Sequence, residues 1–208
     1  MTLRNYILLF SMATLVLLSS CKKEDNPPTP KAEVFFVRAN INADTFNYMS
    51  GANNFYYFSG NSSAGDLSYI STVFTAGIGV YGNHDNIRLY LGRTGRPSFT
   101  SISNGQFLSL YTEGNIPYST TADVRNFDGV ELELVDENSI VHWNTIGDQT
   151  GSSFNVFKLT KSNSDPNASS GANVLVDATF NCKFYSDYYP DSVIVVKNGL
   201  LKLKLQNN

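Results

Sequence analysis

Three acidic residues lie close together in the stretch "VELELVDE", where Glu131, Glu133 and Asp136 have the spacing E-x-E-x-x-D. Two carboxyl groups about 5–5.5 Å apart can hydrolyse a glycosidic bond with retention, one as nucleophile and the other as acid/base. Residues two apart on a strand are separated by about 6.6 Å along it, so Glu131 and Glu133 are only roughly placed for this reaction. The chemistry to consider first is therefore paired-carboxylate hydrolysis.

The same spacing resembles the E-x-D-x-x-E signature of a β-sandwich family of retaining glycosidases. In that family the first Glu is the nucleophile and the last is the acid/base. This chain departs from the signature twice, because its middle acid is Glu133 and its last is the shorter Asp136. The chain has one tryptophan, whereas a sugar cleft usually has several aromatic walls.

The strand pattern offers another interpretation of these acids. Val130, Leu132 and Leu134 alternate with Glu131 and Glu133, which is the pattern of a half-buried strand. We expect the apolar residues to face the core and the acids to face water. On this interpretation the chain has no catalytic residues, and glycoside hydrolysis is the third of three functional hypotheses.

Metal ligands are sparse. The two histidines, His84 and His142, have no ligand-like spacing, and zinc needs three or four convergent ligands. The segment Arg125–Gly129 is similar to part of a calcium loop, but Val124 and Val135 occupy the positions of its first and last acids. We predict no cofactor and no metal site, and leave open a looser calcium site of Asp and carbonyl oxygens.

Tyrosines are the most suggestive group of side chains. Seven of them fall in or near predicted loops and strand ends, among Asn, Asp, Ser and Gly. That composition is typical of an adaptable surface for glycan or protein ligands. The alternative is that tyrosine simply favours strands and their rims. The candidate binding residues are Tyr56, Tyr57, Tyr111, Tyr118, Tyr185, Tyr188 and Tyr189.

Cys182 lies in a long alternating stretch, "VLVDATFNCKFY". The residues at even-numbered positions of this stretch are small or apolar. Asp177, Thr179, Asn181 and Lys183 alternate with them and are polar. The pattern predicts a strand with a buried thiol that behaves as a small hydrophobe rather than a reactive group. The residues predicted on the inner face are Val174, Val176, Ala178, Phe180, Cys182 and Phe184.

The first twenty residues have the layout of a secretory signal peptide. Arg4 precedes an apolar run from Ile7 to Leu18, and small residues follow. A membrane-spanning helix needs about 20 apolar residues, and this run is too short. The sequence Leu18-Ser19-Ser20-Cys21 resembles the bacterial lipobox. The resemblance implies that Cys21 is acylated and that its acyl chains are the contact with the membrane.

The residues after Cys21 indicate where in the cell envelope the protein is exported. "CKKED" resembles the export signal of Bacteroidota surface lipoproteins, which has a lysine and then acids soon after the acylated cysteine. We expect an outer-membrane lipoprotein exposed at the cell surface, with the periplasmic face as the alternative. Residues 21–32 then form the acylated cysteine and a polar, proline-containing tether.

Residues 33–208 are predicted to form one domain, large enough to bury a core without disulfides. Removal of residues 1–20 takes away Arg4 and leaves 14 basic and 18 acidic residues, a charge of −4. No basic cluster remains beyond Lys22 and Lys23, which excludes nucleic acid as an expected partner.

Alternating segments predict an all-β fold of about ten strands. They are separated by turn signals, which favours an antiparallel β-sandwich or a jelly-roll-like variant. We expect a strand at "QFLSLYT", and a C-terminal hairpin whose turn is Asn198-Gly199. The segments "SSFNVFKLTKSN", "VDATFNCKFY" and "DSVIVVKNGLLKLKL" are similar to uncharacterised β-rich domains of Bacteroidota lipoproteins.

These patterns predict a lipid-anchored β-sandwich of the cell envelope that acts as a binding or accessory module for a glycan or protein ligand. The first alternative is a structural envelope lipoprotein without a small ligand. The second is the glycosidase-like hydrolase.

Overall fold

A computed structural model describes residues 33–41, 44–52, 55–80, 86–98, 100–135, 142–163, 170–189 and 191–207. The predicted signal peptide, Cys21 and the tether lie outside the described residues, as do His84 and Asp136. Val34–Asn208 form one compact unit.

The described part of the chain folds into eleven strands and one short helix, which confirms the all-β prediction. The elements are β1 (Phe36–Ile41), β2 (Asp44–Met49), β3 (Phe55–Gly65), β4 (Tyr69–Val80), β5 (Asn86–Pro97), α1 (Asn104–Ser109), β6 (Gly114–Asn115), β7 (Val130–Val135), β8 (His142–Asn144), β9 (Ser153–Ser162), β10 (Asn173–Ser186) and β11 (Val193–Gln206).

The strands pair in antiparallel fashion in the order β2-β1-β11-β10-β8-β7-β5-β4-β3. Strand β9 also pairs with β10, and the two-residue β6 pairs with β9. The sheet curls so that β3 meets β11, where the Tyr57 hydroxyl donates to the carbonyl of Lys204 and Ser59 donates to Gln206. Strand β1 pairs with β11 no further than Lys202, so Tyr57 binds a carbonyl beyond the end of β1. The curl therefore closes one sandwich-like core.

The inner face of β10 forms the middle of that core. The predicted alternation is confirmed, because all six residues on this face are at most 2% exposed. They are Val174, Val176, Ala178, Phe180, Cys182 and Phe184. They pack in one cluster with Leu201, Leu203 and Leu205 of β11.

The predicted C-terminal hairpin is wrong. Asn198-Gly199 lies inside the continuous strand β11, where the register against β10 shifts between Phe180 and Cys182. Asn198 has a φ of 54° and donates its backbone N–H to Asn181. A Cβ on Gly199 would lie 2.6 Å from the Phe180 ring. The dipeptide that would suit a two-residue turn here forms a β-bulge instead.

The segment "QFLSLYT" is not a strand, because its first half belongs to helix α1. Ser103 and Gln106 form a reciprocal capping box, with Gln106 N–H donating to Ser103 Oγ and Ser103 N–H to Gln106 Oε1. Phe107 is fully buried, and its ring centre lies 4.7 Å from that of Phe74 and 5.1 Å from that of Tyr111. The cap and this aromatic contact outweigh the strand-like alternation.

Candidate functional site

The acids of β7 do not face water, so that expectation is wrong. Val130 and Leu132 are in the core, as the alternation predicts, but Glu131 on the other face is only 7% exposed. Glu133 is also mostly covered, with 14% of its side chain exposed. The reason is a second layer, because the segment between β6 and β7 lies against this face with Val124 and Phe127. A strand pattern cannot show whether its polar face is covered by a distant loop.

Hydrogen bonds within the covering segment hold its shape. The Asp128 carboxylate accepts from Ser119 Oγ at 2.9 Å and from Thr120 N–H at 3.1 Å. These bonds, with the Ser119 contact foremost, lower the pKa of Asp128. Arg93 of β5 donates to the carbonyl of Arg125, which ties the segment to the sheet. The part of the chain that is similar to a calcium loop therefore uses Asp128 to fold the loop.

Glu133 is fully engaged by its neighbours. Tyr90 Oη donates to Glu133 Oε2 at 2.6 Å. Arg88 and His142 each place a nitrogen 3.6 Å from Glu133 Oε1. Strand pairing positions these groups, because Arg88 lies directly opposite Glu133 and the Tyr90 side chain reaches it diagonally. Both oxygens of Glu133 are therefore in use.

Arg88 is held in place by the aromatic ring of Phe58. Its guanidinium carbon lies 5.7 Å from the ring centre, within the range of a cation–π contact. The ring has room because Gly77 is paired with Phe58 on one side and Arg88 on the other. A Cβ on Gly77 would come within 2.6 Å of the ring. A glycine in the middle of a strand thus positions the arginine that binds Glu133.

Glu131 is in the opposite situation. Tyr90 lies across from it in the sheet but gives its hydroxyl to Glu133, and no described residue hydrogen-bonds the Glu131 carboxyl. Burial, with smaller contributions from the negative charges of Glu133 and Asp187, raises the pKa of Glu131 to about 7. Two carboxyl groups on one strand face therefore have different surroundings, one bound by Tyr90 and Arg88 and the other without a partner.

Glu131 and Glu133 line a cavity of about 190 Å³ between the sheet and the covering segment. Its apolar walls come from both layers, and its polar groups come from the sheet. The lining residues are Ser62, Val73, Tyr90, Ala122, Val124, Phe127, Glu131 and Glu133. A buried carboxyl without a partner, beside a cavity that opens to solvent, is suited to receiving a hydrogen-bond donor from a ligand.

A larger cavity of about 310 Å³ lies over the outer face of β10 and β11. Two of its polar side chains, those of Lys183 and Asn181, have partners in the fold, and the Lys197 side chain is exposed. Lys183 Nζ lies 3.2 Å from Asp148 Oδ2, and Asn181 binds the backbone of Asn198 and the hydroxyl of Ser153. This cavity leaves no side-chain group in need of a ligand comparable to Glu131.

The candidate tyrosines do not form one group. Tyr111 and Tyr118 are 2% and 9% exposed and belong to the core, so their prediction as surface binding residues is wrong. The Tyr118 hydroxyl donates to the carbonyl of Asn181, which fixes the segment before β7 to β10. The rings of Tyr111 and Tyr118 pack against other core side chains, whereas the sequence analysis expected them to contact a ligand.

The other five tyrosines lie nearer the surface but on separate parts of the sheet. Tyr56 is on β3 and Tyr185 is on β10, and these two strands do not pair with each other. Tyr57 and Tyr185 each use the hydroxyl to bind a backbone carbonyl. Tyr188 and Tyr189 are the most exposed, at 54% and 59%. A binding role for these five stays a prediction.

Cys182 is 2% exposed, which confirms its predicted burial. Burial raises the pKa of its thiol to about 12, so the reactive thiolate is strongly disfavoured. Among the described residues, no three His, Cys, Asp or Glu side chains are close enough together to hold a metal ion. His142 instead contacts Glu133.

Comparison with known proteins does not assign this chain to a family. No family model matches the chain, and neither a curated protein nor a solved structure is significantly similar to it. The described part of the chain contains no helix long and apolar enough to cross a membrane.

Proposed function

We propose that this chain is an outer-membrane lipoprotein, anchored through acyl chains on Cys21, whose β-domain is a surface-exposed binding module. The anchor and the location rest on the lipobox and on the charged residues after it. The proposed ligand is a group presented by a glycan or a protein, and it binds in the cavity over Glu131 and Glu133.

One observation supports binding above the other hypotheses. Glu131 is buried and unpartnered at a cavity, while the neighbouring Glu133 carboxylate is bound by Tyr90 and lies 3.6 Å from a nitrogen of Arg88. Leaving a carboxyl group without a hydrogen bond is unfavourable in an apolar environment. A ligand that supplies the missing donor offsets that cost, and a purely structural module has no use for such a site.

Defined glycan and peptide arrays test this proposal. The full-length chain, purified in detergent, is applied as wild type, as Glu131→Gln and as Asp44→Asn. Asp44 is an exposed carboxylate at the start of β2, so its variant matches the change of charge without touching the cavity. We expect wild type and Asp44→Asn to bind the same array features and Glu131→Gln to lose them. Absence of any specific feature would favour the structural lipoprotein.

The hydrolase remains a second candidate because of one observation. The cavity holds a carboxyl group with a pKa raised to about 7 beside a second carboxyl group, as acid/base pairs do. Against it, both oxygens of Glu133 are engaged and the cavity is small. Turnover of β-glucans by wild type, abolished by Glu131→Gln, would place this candidate first.

A further inference from the structure

The cavity over Glu131 shows which chemical group it can accept. Its volume of about 190 Å³ is below the roughly 300 Å³ at which pockets for whole drug-sized ligands begin. The site therefore takes one terminal group of a larger ligand.

The polar groups that remain free in the lining are few. Glu133 and the Tyr90 hydroxyl are bound to each other, which removes both from ligand binding. Glu131 and the hydroxyl of Ser62 remain, and neither has a hydrogen bond to a described residue. Ser62 is on β3, three strands away from Glu131 on β7, so the acceptors at the Glu131 end of the cavity are the two carboxylate oxygens of Glu131.

A sugar ring is poorly matched to this lining. Several hydroxyl groups would enter a space with two free polar side chains, and the rest would face Val73, Val124 and Phe127. A buried hydroxyl without a partner is unfavourable. An alkylammonium group has three donors on one nitrogen and an apolar stem, which match the free acceptors and the apolar walls.

The charges around the site also favour a cation. Glu133 and Asp187 both act electrostatically on Glu131. Arg88 is directed at Glu133, where His142 also lies. On the covering segment, Asp123 and Arg125 pair with each other. Asp187 accepts a hydrogen bond from the Asn144 amide. Among the described residues, no cation pairs with Glu131, and the acids that act on it add negative charge to the site.

We propose that the cavity binds a protonated primary amine on an apolar stem, with the nitrogen against Glu131 and the stem against Val124 and Phe127. This inference rests on the proposed binding function and names its ligand class. A lysine side chain of a partner protein has this chemistry, and so does a free alkylamine.

The test compares three small probes at pH 8, where Glu131 is ionised and a primary amine keeps its proton. n-Butylammonium carries the charge and the stem, n-butanol the stem with a neutral donor, and methyl xyloside the sugar. Binding to the full-length chain in detergent is followed by NMR shifts of the Glu131 and Tyr90 amides. For so small a probe we expect about millimolar affinity.

We expect n-butylammonium to bind at least tenfold more tightly than n-butanol. Glu131→Gln should weaken its binding at least tenfold, and Asp44→Asn should leave it unchanged. Equal affinity for n-butylammonium and n-butanol, or no effect of Glu131→Gln on the binding of n-butylammonium, would overturn the inference. Binding of methyl xyloside alone would overturn the amine and keep the proposed binding function. If no probe binds, the amine is again excluded, and the arrays decide the function separately.

If n-butylammonium binds as expected, a lysine-containing peptide and its acetyl-lysine counterpart distinguish the two sources. Preference for the unmodified peptide over the free amine would identify a protein side chain. Equal affinity would identify a free amine.

Discussion

The buried carboxyl of Glu131 should make the stability of the domain depend on pH. Its pKa is about 7 in the folded protein, against an ordinary value of 4.5. Between these values the unfolded chain loses the proton while the folded chain keeps it. The free energy of unfolding therefore falls by about 1.4 kcal/mol for each pH unit over this window. Above pH 7 the full effect of this one residue is about 3 kcal/mol.

Glu131→Gln removes this titration and keeps the shape of the side chain. At pH 4, where Glu131 is protonated in both states, we expect the variant and wild type to be equally stable within about 0.5 kcal/mol. At pH 8 we expect the variant to be more stable by about 3 kcal/mol, because the penalty for burying the charge is gone. For a domain of this size, that gain raises Tm by about 6–12 °C.

Urea unfolding between pH 4 and pH 8, followed by far-UV circular dichroism, measures the difference. Asp44→Asn is the control, and it should follow wild type at every pH because Asp44 is exposed. Other titrating groups are shared by the proteins and cancel in the comparison. A difference that does not change with pH would refute the reasoning, because it would mean that Glu131 titrates alike in the folded and unfolded chain.

Further expectations concern the anchor, the core and the sheet. Cys21→Ala should leave an unprocessed precursor, and wild type should partition into the detergent phase; wild type in the aqueous phase would refute the lipid anchor. A thiol reagent should label Cys182 only after denaturation, because the thiol is buried, and rapid native labelling would contradict this. Phe107→Ala should lower the free energy of unfolding by about 3–5 kcal/mol in urea titrations, because it empties a fully buried site; a loss below 1 kcal/mol would place the ring outside the core. Gly77→Ala should cost about 1–3 kcal/mol in the same assay, since its Cβ would collide with the ring of Phe58, and an unchanged midpoint would argue against that contact.

The sequence carried enough information for the all-β class and for the buried face of β10. Period-2 alternation over many residues specifies a face because a shift by one residue would reverse every side chain. Cys182 could therefore be placed in the core with no knowledge of its neighbours. Long strands with one apolar face are the elements that a sequence predicts best.

Local sequence patterns gave the wrong prediction where the same residues are compatible with two different structures. Asn198-Gly199 accommodates a positive φ in a bulge as well as in a turn, and only pairing with β10 decides between them. The capping pair Ser103 and Gln106 was visible in the sequence and would have indicated helix α1.

Part of the candidate site could be predicted from the sequence. The alternation correctly separated Glu131 and Glu133 from the core residues of β7, and it placed Arg88 and Tyr90 on the corresponding face of β5. Opposite charges on two predicted strands were a signal that these strands are neighbours. What no strand pattern could give is the cover, although Phe127 in a polar loop was a sign that the loop packs on something.

The energetic cost of burying the Glu131 carboxylate helps to distinguish a binding module from a structural one. Domains of this kind are stabilised by only about 5–15 kcal/mol in total, so the effect of about 3 kcal/mol at Glu131 is a large fraction. An apolar residue of similar size at this position would remove the penalty, as replacement of buried charges by apolar groups often does. A chain that serves only as scaffold gains nothing from the carboxyl group. A chain that binds a donor there recovers the energy when the ligand arrives, so binding should raise Tm of wild type at pH 8 and leave that of Glu131→Gln unchanged.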